Sequence, residues 1–139
     1  MALRHLSTVL CDYVIVSNEG KASAIGLFQN IRVTGFPGAV PMVGIIVTFA
    51  GERGDPYEVR LEGPGMEDMV VSQGVCEPPP GLDEHQQWGV MVYGKAAPMV
   101  FNEPGVYRVV LRCEAEVVHS YPFGVFVQRT EEAATDGQR

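Results

Sequence analysis

The fold class is decided by one stretch of the chain, Tyr57-Glu58-Val59-Arg60-Leu61-Glu62. Apolar and charged residues alternate through this stretch, and successive side chains of a β-strand point to opposite faces of its sheet. The alternation therefore predicts a strand with one face in a core, formed by Tyr57, Val59 and Leu61, and the other face in water.

The same two-residue period recurs elsewhere in the chain. Residues 106–114 alternate in the same way and predict a second half-buried strand. Residues 42–50 are apolar on both sides, which predicts a central strand covered on both faces. Sixteen glycines and ten prolines leave few windows for a helix. Weaker alternation predicts further strands over 8–16, 22–33, 68–75, 87–93, 96–102 and 117–127. In the first of these, one face consists of Val9, Cys11, Tyr13 and Ile15. In the last, the face that contains His119 also holds Val117, Tyr121, Phe123, Val125 and Val127.

Short turns that contain glycine or proline separate these eight or nine segments. This arrangement predicts an all-β fold, a two-sheet antiparallel β-sandwich of the immunoglobulin-like type. We expect residues 1–129 to form a single domain and residues 130–139, which are mostly polar, to form a flexible tail. A tyrosine corner, in which a tyrosine hydroxyl bonds to the backbone upstream, is predicted at Pro104-Gly105-Val106-Tyr107.

Charge and composition narrow the function of the 139-residue chain. A net charge of −7 and scattered basic residues argue against nucleic acid as a partner, because phosphate binding needs clustered lysine and arginine. The same charge disfavours anionic membranes, and no stretch approaches the ~20 apolar residues that span a bilayer. Three widely spaced cysteines are not the even set of an oxidised secreted protein. We therefore expect a cytoplasmic location and free thiols.

The first third of the chain carries a recognisable pattern. Leu10-Cys11-Asp12-Tyr13 precedes Gly20-Lys21-Ala22-Ser23-Ala24-Ile25-Gly26-Leu27-Phe28 and Ile31, and a P-G-x-Y strand with a closing hairpin spans Pro104 to Val127. This pattern resembles an uncharacterised bacterial family of small domains of unknown function, whose members share an L-C-D-Y start and a G-K-x-S-x-I-G-x-F hairpin. The resemblance covers residues 8–127 and implies a short β-sandwich, without implying any activity.

The titratable residues do not form the pattern of a metal or cofactor site. His5, His85 and His119 are isolated, and no C-x-x-C or H-x-x-x-H pair occurs, whereas a metal site needs converging ligands. The densest cluster, Asp83-Glu84-His85, is predicted to be a solvated charged loop. We expect neither a metal nor a cofactor.

Catalytic patterns are missing as well. No G-x-S-x-G elbow occurs. Cys11 and Cys113 are in phase with apolar neighbours, where a thiol acts as a small hydrophobic group. Cys76 is expected to be more exposed, with a thiol pKa raised by an adjacent carboxylate. We predict that the protein is not an enzyme; the alternative is an unrecognised catalytic site around Asp12, Cys76 or His85.

Asp12 interrupts the apolar side of the strand predicted over 8–16, which also holds Leu10, Val14 and Val16. A charge on such a face is costly without a partner. Two explanations are open. Asp12 is either a charge that blocks strand-to-strand aggregation or a hydrogen-bonded anchor that defines a binding cleft.

Two features predict a surface for another protein. The loop of residues 76–88 contains three prolines, which favour a stiff extended segment that a partner can bind; Trp88, at its end, is expected in the core. The strand predicted over 87–93 is apolar on both sides, so its second side needs cover from another element or subunit. The predicted interaction residues are Pro78, Pro79, Pro80, Leu82, Met91 and Tyr93.

These observations predict a non-enzymatic protein that works by association, either with itself as a dimer or with another protein. The alternative is a small-ligand or carbohydrate-binding module that uses aromatic rings on a sheet surface as platforms. That alternative requires at least two of the rings of Tyr57, Trp88 and Tyr93 to be exposed together.

Overall fold

The computed structural model describes residues 3–127. Within that range the chain forms strands, turns and irregular segments and no helix. The strands are β1 (Arg4–Val16), β2 (Ala22–Leu27), β3 (Asn30–Val33), β4 (Gly38–Val40), β5 (Val43–Ala50), β6 (Pro56–Glu62), β7 (Met69–Val75), β8 (Val90–Ala96), β9 (Met99–Phe101), β10 (Gly105–Cys113) and β11 (Glu116–Val127).

The strands form two main sheets and one small one. The four-stranded sheet has the order β2-β1-β5-β8, and the five-stranded sheet has the order β3-β11-β10-β6-β7. Strands β4 and β9 pair separately. Every pairing is antiparallel except that of β3 with β11, which is parallel. The predicted all-β class and β-sandwich are confirmed.

The core lies between the inner faces of the two main sheets. Val59 and Leu61 of β6 are fully buried, as the alternation in 57–62 predicted, and so are Val47 and Phe49 of β5. Each such side chain contributes roughly 1.5–3 kcal/mol relative to an exposed position. The central strand prediction is also confirmed, because β5 pairs with β1 on one side and β8 on the other.

The Tyr107 side chain connects the start of β10 to neighbouring turns by hydrogen bonds. Its hydroxyl lies 2.7 Å from the carbonyl oxygen of Glu103, four residues upstream, and 3.1 Å from that of Pro64. The tyrosine corner predicted from the P-G-V-Y step therefore forms. The ring packs edge-on against Phe101, and Gly63 lies so close to it that a Cβ there would be 2.0 Å from a ring carbon.

The segment predicted as one strand over 22–33 is two strands in different sheets. Gly26 has a φ of +75°, a conformation that favours glycine and ends the extended run. Residues 27–30 then cross from the four-stranded to the five-stranded sheet. The Phe28 amide donates a hydrogen bond to the Leu10 carbonyl at 3.1 Å during this crossing.

The last hairpin differs from the prediction in its register. Val117 was expected on the buried face with His119, but it is 57% exposed. Leu111 pairs with His119 whereas Arg112 pairs with Val117, so β11 contains one extra residue at this point. Such a bulge reverses the side-chain alternation beyond it. Val118 packs against the core instead.

Cys76 was expected to be more exposed, and this prediction is wrong. Its exposed fraction is 0%, and it belongs to the hydrophobic core. The Cys76 amide donates to the Asp55 carbonyl at 2.8 Å, and its carbonyl accepts from the Gly54 amide at 2.8 Å. These two bonds hold the start of the proline loop against the turn before β6, which turns the thiol inward.

The two lateral sides of the sandwich are different. On the side where β7 and β8 meet, Gly94 lies so close to Val71 that a Cβ would be 2.2 Å from the valine methyl carbon. On the other side, β2 pairs only with residues 11–16 of β1, and β3 pairs only with residues 124–127 of β11. The sandwich is therefore closed along one side and open along the other.

We expect Tyr107→Phe to lower the free energy of unfolding by about 1–2 kcal/mol, because the variant keeps the buried ring and loses the hydroxyl bond that joins β10 to the preceding turn. Urea unfolding measures the change. Tyr93→Phe is the matched control, since Tyr93 is exposed and makes no hydrogen bond within residues 3–127. Equal stability of the two variants would contradict the anchoring role of Tyr107.

Candidate functional site

The outer surface of the four-stranded sheet is an exposed apolar region. Residues paired across strands share a face, so the register identifies its members. Ile46 of β5 lies opposite Val9 and Tyr93, and Tyr13 lies opposite Ile25. We call this surface the apolar face. It consists of Val9, Tyr13, Ile15, Ile25, Leu27, Ile46, Met91 and Tyr93.

Most of these side chains are exposed to solvent. Leu27 is 69% exposed and Tyr13 54%, whereas Ile46, in the middle, is 8% exposed because its neighbours on β1 and β8 cover it. Scattered apolar residues are ordinary on a protein surface, but a contiguous group of them marks an interface.

The outer surface of the five-stranded sheet carries opposite charges on neighbouring strands. The register places Arg108 opposite Glu62 and Arg112 opposite Glu58. Arg60 forms ion pairs with Glu58 and, at 3.3 Å, with Asp68. Alternating charges of this kind keep a sheet surface solvated. Exposed apolar residues lie among these charges, so the two outer surfaces differ in their charges and not in whether they expose apolar side chains. The exposed apolar residues of this surface are Val70, Val75, Val106, Val117 and Phe126.

The predicted interaction residues separate into two groups. Met91 and Tyr93 are exposed on the apolar face, opposite to Val90 and Val92 on the core side, as their alternation implied. The loop residues Pro79, Pro80 and Leu82 are exposed and Pro78 is partly buried. The loop is held by a turn, in which the Asp83 amide donates to the Gln86 side chain and the Gln86 amide to the Asp83 carbonyl. No hydrogen bond among the described residues joins this loop to Met91 or Tyr93.

The three rings considered as a ligand platform are not exposed together. Trp88 and Tyr57 are partly buried and pack against the core, and the Tyr57 ring is 5.1 Å from that of Phe49. Tyr93 is the exposed member of the three, at 42%.

Asp12 is exposed, so the cost of burial that made it notable does not arise. Its carboxylate lies over Gly26, where a Cβ would be 2.3 Å from a carboxylate oxygen. It makes no hydrogen bond or ion pair with the residues that the structure describes. Asp12 of the L-C-D-Y motif and Gly26 of the hairpin motif therefore pack against each other. The hydrogen-bonded anchor considered from the sequence does not form within residues 3–127.

The other candidate catalytic groups do not converge. His85 is exposed, and its Nε2 atom lies 3.1 Å from the Oε1 atom of Glu84. Burial raises the pKa of the Cys11 and Cys76 thiols, and the Asp55 carboxylate raises that of Cys76 further. A protonated buried thiol is a poor nucleophile. Within residues 3–127, no three histidine, cysteine, aspartate or glutamate side chains are placed to hold a metal ion.

Sequence reasoning missed part of the apolar face, namely Tyr13, Ile15, Ile25 and Leu27. It grouped Tyr13 and Ile15 on one side of a strand with Val9 and Cys11. Both sides of that strand are largely apolar, so the pattern did not show which side is outward. Pairing of β1 with β2 decides this, because it places Tyr13 beside Ile25 on the surface.

The geometry defines an all-β, two-sheet sandwich in which opposite charges face each other across the strands of one outer surface, whereas the described strands of the other have no acidic outward position. This chain belongs to the Family of unknown function (DUF6941), whose sequence model matches residues 6–126. The predicted membership of an uncharacterised family of small domains is thereby confirmed. A comparison with curated proteins found no match. No helix within residues 3–127 has the length and apolarity to cross a membrane.

A histidine pair joins the two sheets at the open side of the sandwich. The rings of His5 in β1 and His119 in β11 stack with centroids 3.6 Å apart and planes 2° from parallel. His5 Nε2 lies 2.7 Å from the Thr8 hydroxyl. Partial burial, and then the nearby His119, lower the pKa of His5, although a backbone hydrogen bond at Ser7 opposes them.

We expect the protein to lose stability between about pH 7.5 and about pH 5.5. A histidine with a lowered pKa in the folded state stabilises the fold above its unfolded pKa of about 6.5, and this contribution is lost as the pH falls through the folded pKa. Urea unfolding at the two pH values measures the loss. His119→Gln should reduce it, whereas the exposed control His85→Gln should not. An equal loss in both variants would contradict a role for the stacked pair.

We also expect Cys11 and Cys76 to resist a disulfide-based thiol reagent at neutral pH while the protein is folded, because both side chains are fully buried. All three cysteines should react once urea unfolds the chain. Mass spectrometry of the labelled peptides identifies the reacting residue. Rapid labelling of Cys76 in the folded protein would contradict its burial and would restore a candidate nucleophile.

Proposed function

We propose that this protein is a non-enzymatic β-sandwich that associates with a second copy of itself through the apolar face. The observation that carries this proposal is the contrast between its two outer surfaces. One places opposite charges across its strands among its exposed apolar residues, and the other has no acidic strand position and exposes Tyr13, Ile25 and Tyr93 around the buried Ile46.

The distribution of charge supports a second copy as the occupant. The chain carries a net charge of −7, so two copies repel each other unless their acidic residues are kept apart. The strand positions of the apolar face include no aspartate or glutamate; its charged positions are Lys95 on β8 and Arg4 at the start of β1. Two such faces can meet without burying a carboxylate, which is costly when unpaired.

The shape of the surface fits a two-fold contact. Two sheets pack face to face at about 10 Å, with their strand directions within about 30°. Four strands are about 19 Å wide and β5 is about 27 Å long. The contact is therefore roughly 500 Å² on each subunit, which is the size of a weak specific interface. A dimer that dissociates at micromolar concentration is expected.

The compartment proposed for this dimer is the cytoplasm. Cys11 and Cys76 are buried free thiols. Free cysteines are stable in a reducing compartment, whereas small domains in oxidising ones usually use disulfides. The cytoplasmic location is part of the proposal and is supported by this chemistry alone.

We expect light scattering after size exclusion to give twice the 15.1 kDa monomer mass at high concentration and the monomer mass on dilution. Tyr93→Lys should raise the dissociation constant at least tenfold, or about 1.4 kcal/mol, because a two-fold contact would bury the new charge twice. Ile25→Lys, on β2, should have a similar effect.

The matched control is Val106→Lys. Val106 is also an exposed apolar residue of a strand, at 54%, but it lies on the outer surface of the five-stranded sheet. This variant should dimerise like the unmodified protein. A monomer at high micromolar concentration, or equal weakening by Val106→Lys and Tyr93→Lys, would contradict the proposal.

A further inference from the structure

The open side of the sandwich contains a cleft of about 590 Å³. It lies between the two main sheets, where residues 4–10 of β1 and residues 116–123 of β11 have no strand partner on their outer edges. The crossing of residues 27–30 forms one end of the cleft. Its volume is in the range of small-molecule binding sites, roughly 300–1,000 Å³.

Apolar and polar groups share the walls of the cleft. Phe28 and Tyr121 are partly buried members of the core periphery, and Phe126 and Leu27 are exposed at the opening. Apolar and aromatic walls with a few polar groups are typical of sites for organic molecules. The apolar wall residues are Val9, Leu10, Leu27, Phe28, Tyr121 and Phe126.

Among the residues that the structure describes, Arg32 is the one charged side chain in the lining of the cleft. It is exposed, and it makes no ion pair or hydrogen bond with the residues that the structure describes. The neighbouring Asn30 is fixed, because its side-chain oxygen accepts a hydrogen bond from the Gly124 amide at 3.0 Å. A guanidinium group with all its donors free binds a carboxylate or a phosphate through two parallel hydrogen bonds.

Backbone groups add to the polar lining. The Leu10 carbonyl points away from β5, since it accepts the Phe28 amide. Amide groups two residues apart in a strand point to the same side. The N–H and C=O of Thr8 therefore also point toward the cleft, and the Thr8 side chain is part of its wall.

A smaller hollow of about 200 Å³ lies on the other side of Arg32. It shares Phe28, Asn30 and Arg32 with the cleft, and Asp12 is part of its lining. The Asp12 carboxylate would repel an anionic ligand in this hollow. An anion bound to Arg32 is therefore favoured on the side of the cleft.

We infer that this cleft binds a small organic anion, whose carboxylate or phosphate contacts Arg32 and whose flat apolar body lies between Phe28, Tyr121 and Phe126. The cleft shares Val9 and Leu27 with the apolar face, so the two proposals are tested separately with a residue of that face outside the cleft lining, Tyr93. The uncharged polar side chains of Thr8 and Asn30, which also line the cleft, supply hydrogen bonds to further polar atoms of the ligand.

Titrations followed by amide NMR shifts test the inference with three probes: phenylacetate, phenyl phosphate and the uncharged phenylacetamide. Binding on the order of 1 mM is expected for probes of this size. Phenylacetate or phenyl phosphate should shift the amides of residues 8–10 and 27–32, and the stronger of the two identifies the anionic group. Phenylacetamide should bind at least fivefold more weakly than phenylacetate.

Arg32→Gln should weaken the anionic probes at least fivefold and leave phenylacetamide unchanged. Arg4→Gln, which removes an exposed arginine outside the cleft lining, is the matched control and should bind all probes normally. The amide spectrum itself reports whether each variant is folded. Tyr93→Lys should keep the binding, so failure of dimerisation and failure of the cleft are separate results.

Two outcomes would overturn the inference. One is the lack of amide shifts around the cleft with all three probes at ~10 mM, well above the expected dissociation constant. The other is equal binding of phenylacetate and phenylacetamide together with no effect of Arg32→Gln, which would leave Arg32 without a role.

Discussion

The crossing of the chain at residues 27–30 is the constraint on which the arrangement of the sandwich depends. It moves the chain from the four-stranded to the five-stranded sheet, and it is held by the bond from the Phe28 amide to the Leu10 carbonyl and by that from the Gly124 amide to Asn30. Because the crossing ends the pairing of β2 with β1 and begins that of β3 with β11, residues 4–10 of β1 and 116–123 of β11 have no strand partner on their outer edges among the described residues. The same few residues therefore define both sheets and the open side.

The outer surfaces of the two sheets differ in the arrangement of their charged residues. The five-stranded sheet places opposite charges on neighbouring strands, such as Arg108 opposite Glu62, and these charges keep its surface in water. The four-stranded sheet lacks such pairs and exposes Tyr13, Ile25 and Tyr93. Burial of a surface of this kind against a second copy removes apolar area from water, at a gain of about 25 cal/mol for each Å². This asymmetry connects the fold to the proposed association.

Part of this architecture could be predicted from the sequence, because strand alternation is a local property. The strand over 57–62, the central strand and the bond of Tyr107 were all predicted correctly, and Met91 and Tyr93 were expected to need cover. Cys76 and Val117 were assigned the wrong environment. Both errors have long-range causes: bonds to the turn before β6 bury Cys76, and a bulge opposite β10 exposes Val117. The cleft was not predicted, since its residues come from three distant segments.

The sequence by itself determined the all-β class, the positions of most strands and, in strands without a bulge, which side chains share one side, because a two-residue period needs only neighbouring residues. Only the tertiary structure decided which side of the doubly apolar strand β1 faces the core, that residues 22–33 divide between two sheets, and that Arg32, Thr8 and Tyr121 line one cleft. These features depend on strand register and on one crossing, and both follow from contacts between residues up to about a hundred positions apart, such as Asn30 with Gly124. A pattern within a single strand contains no information about which distant strand will pair with it.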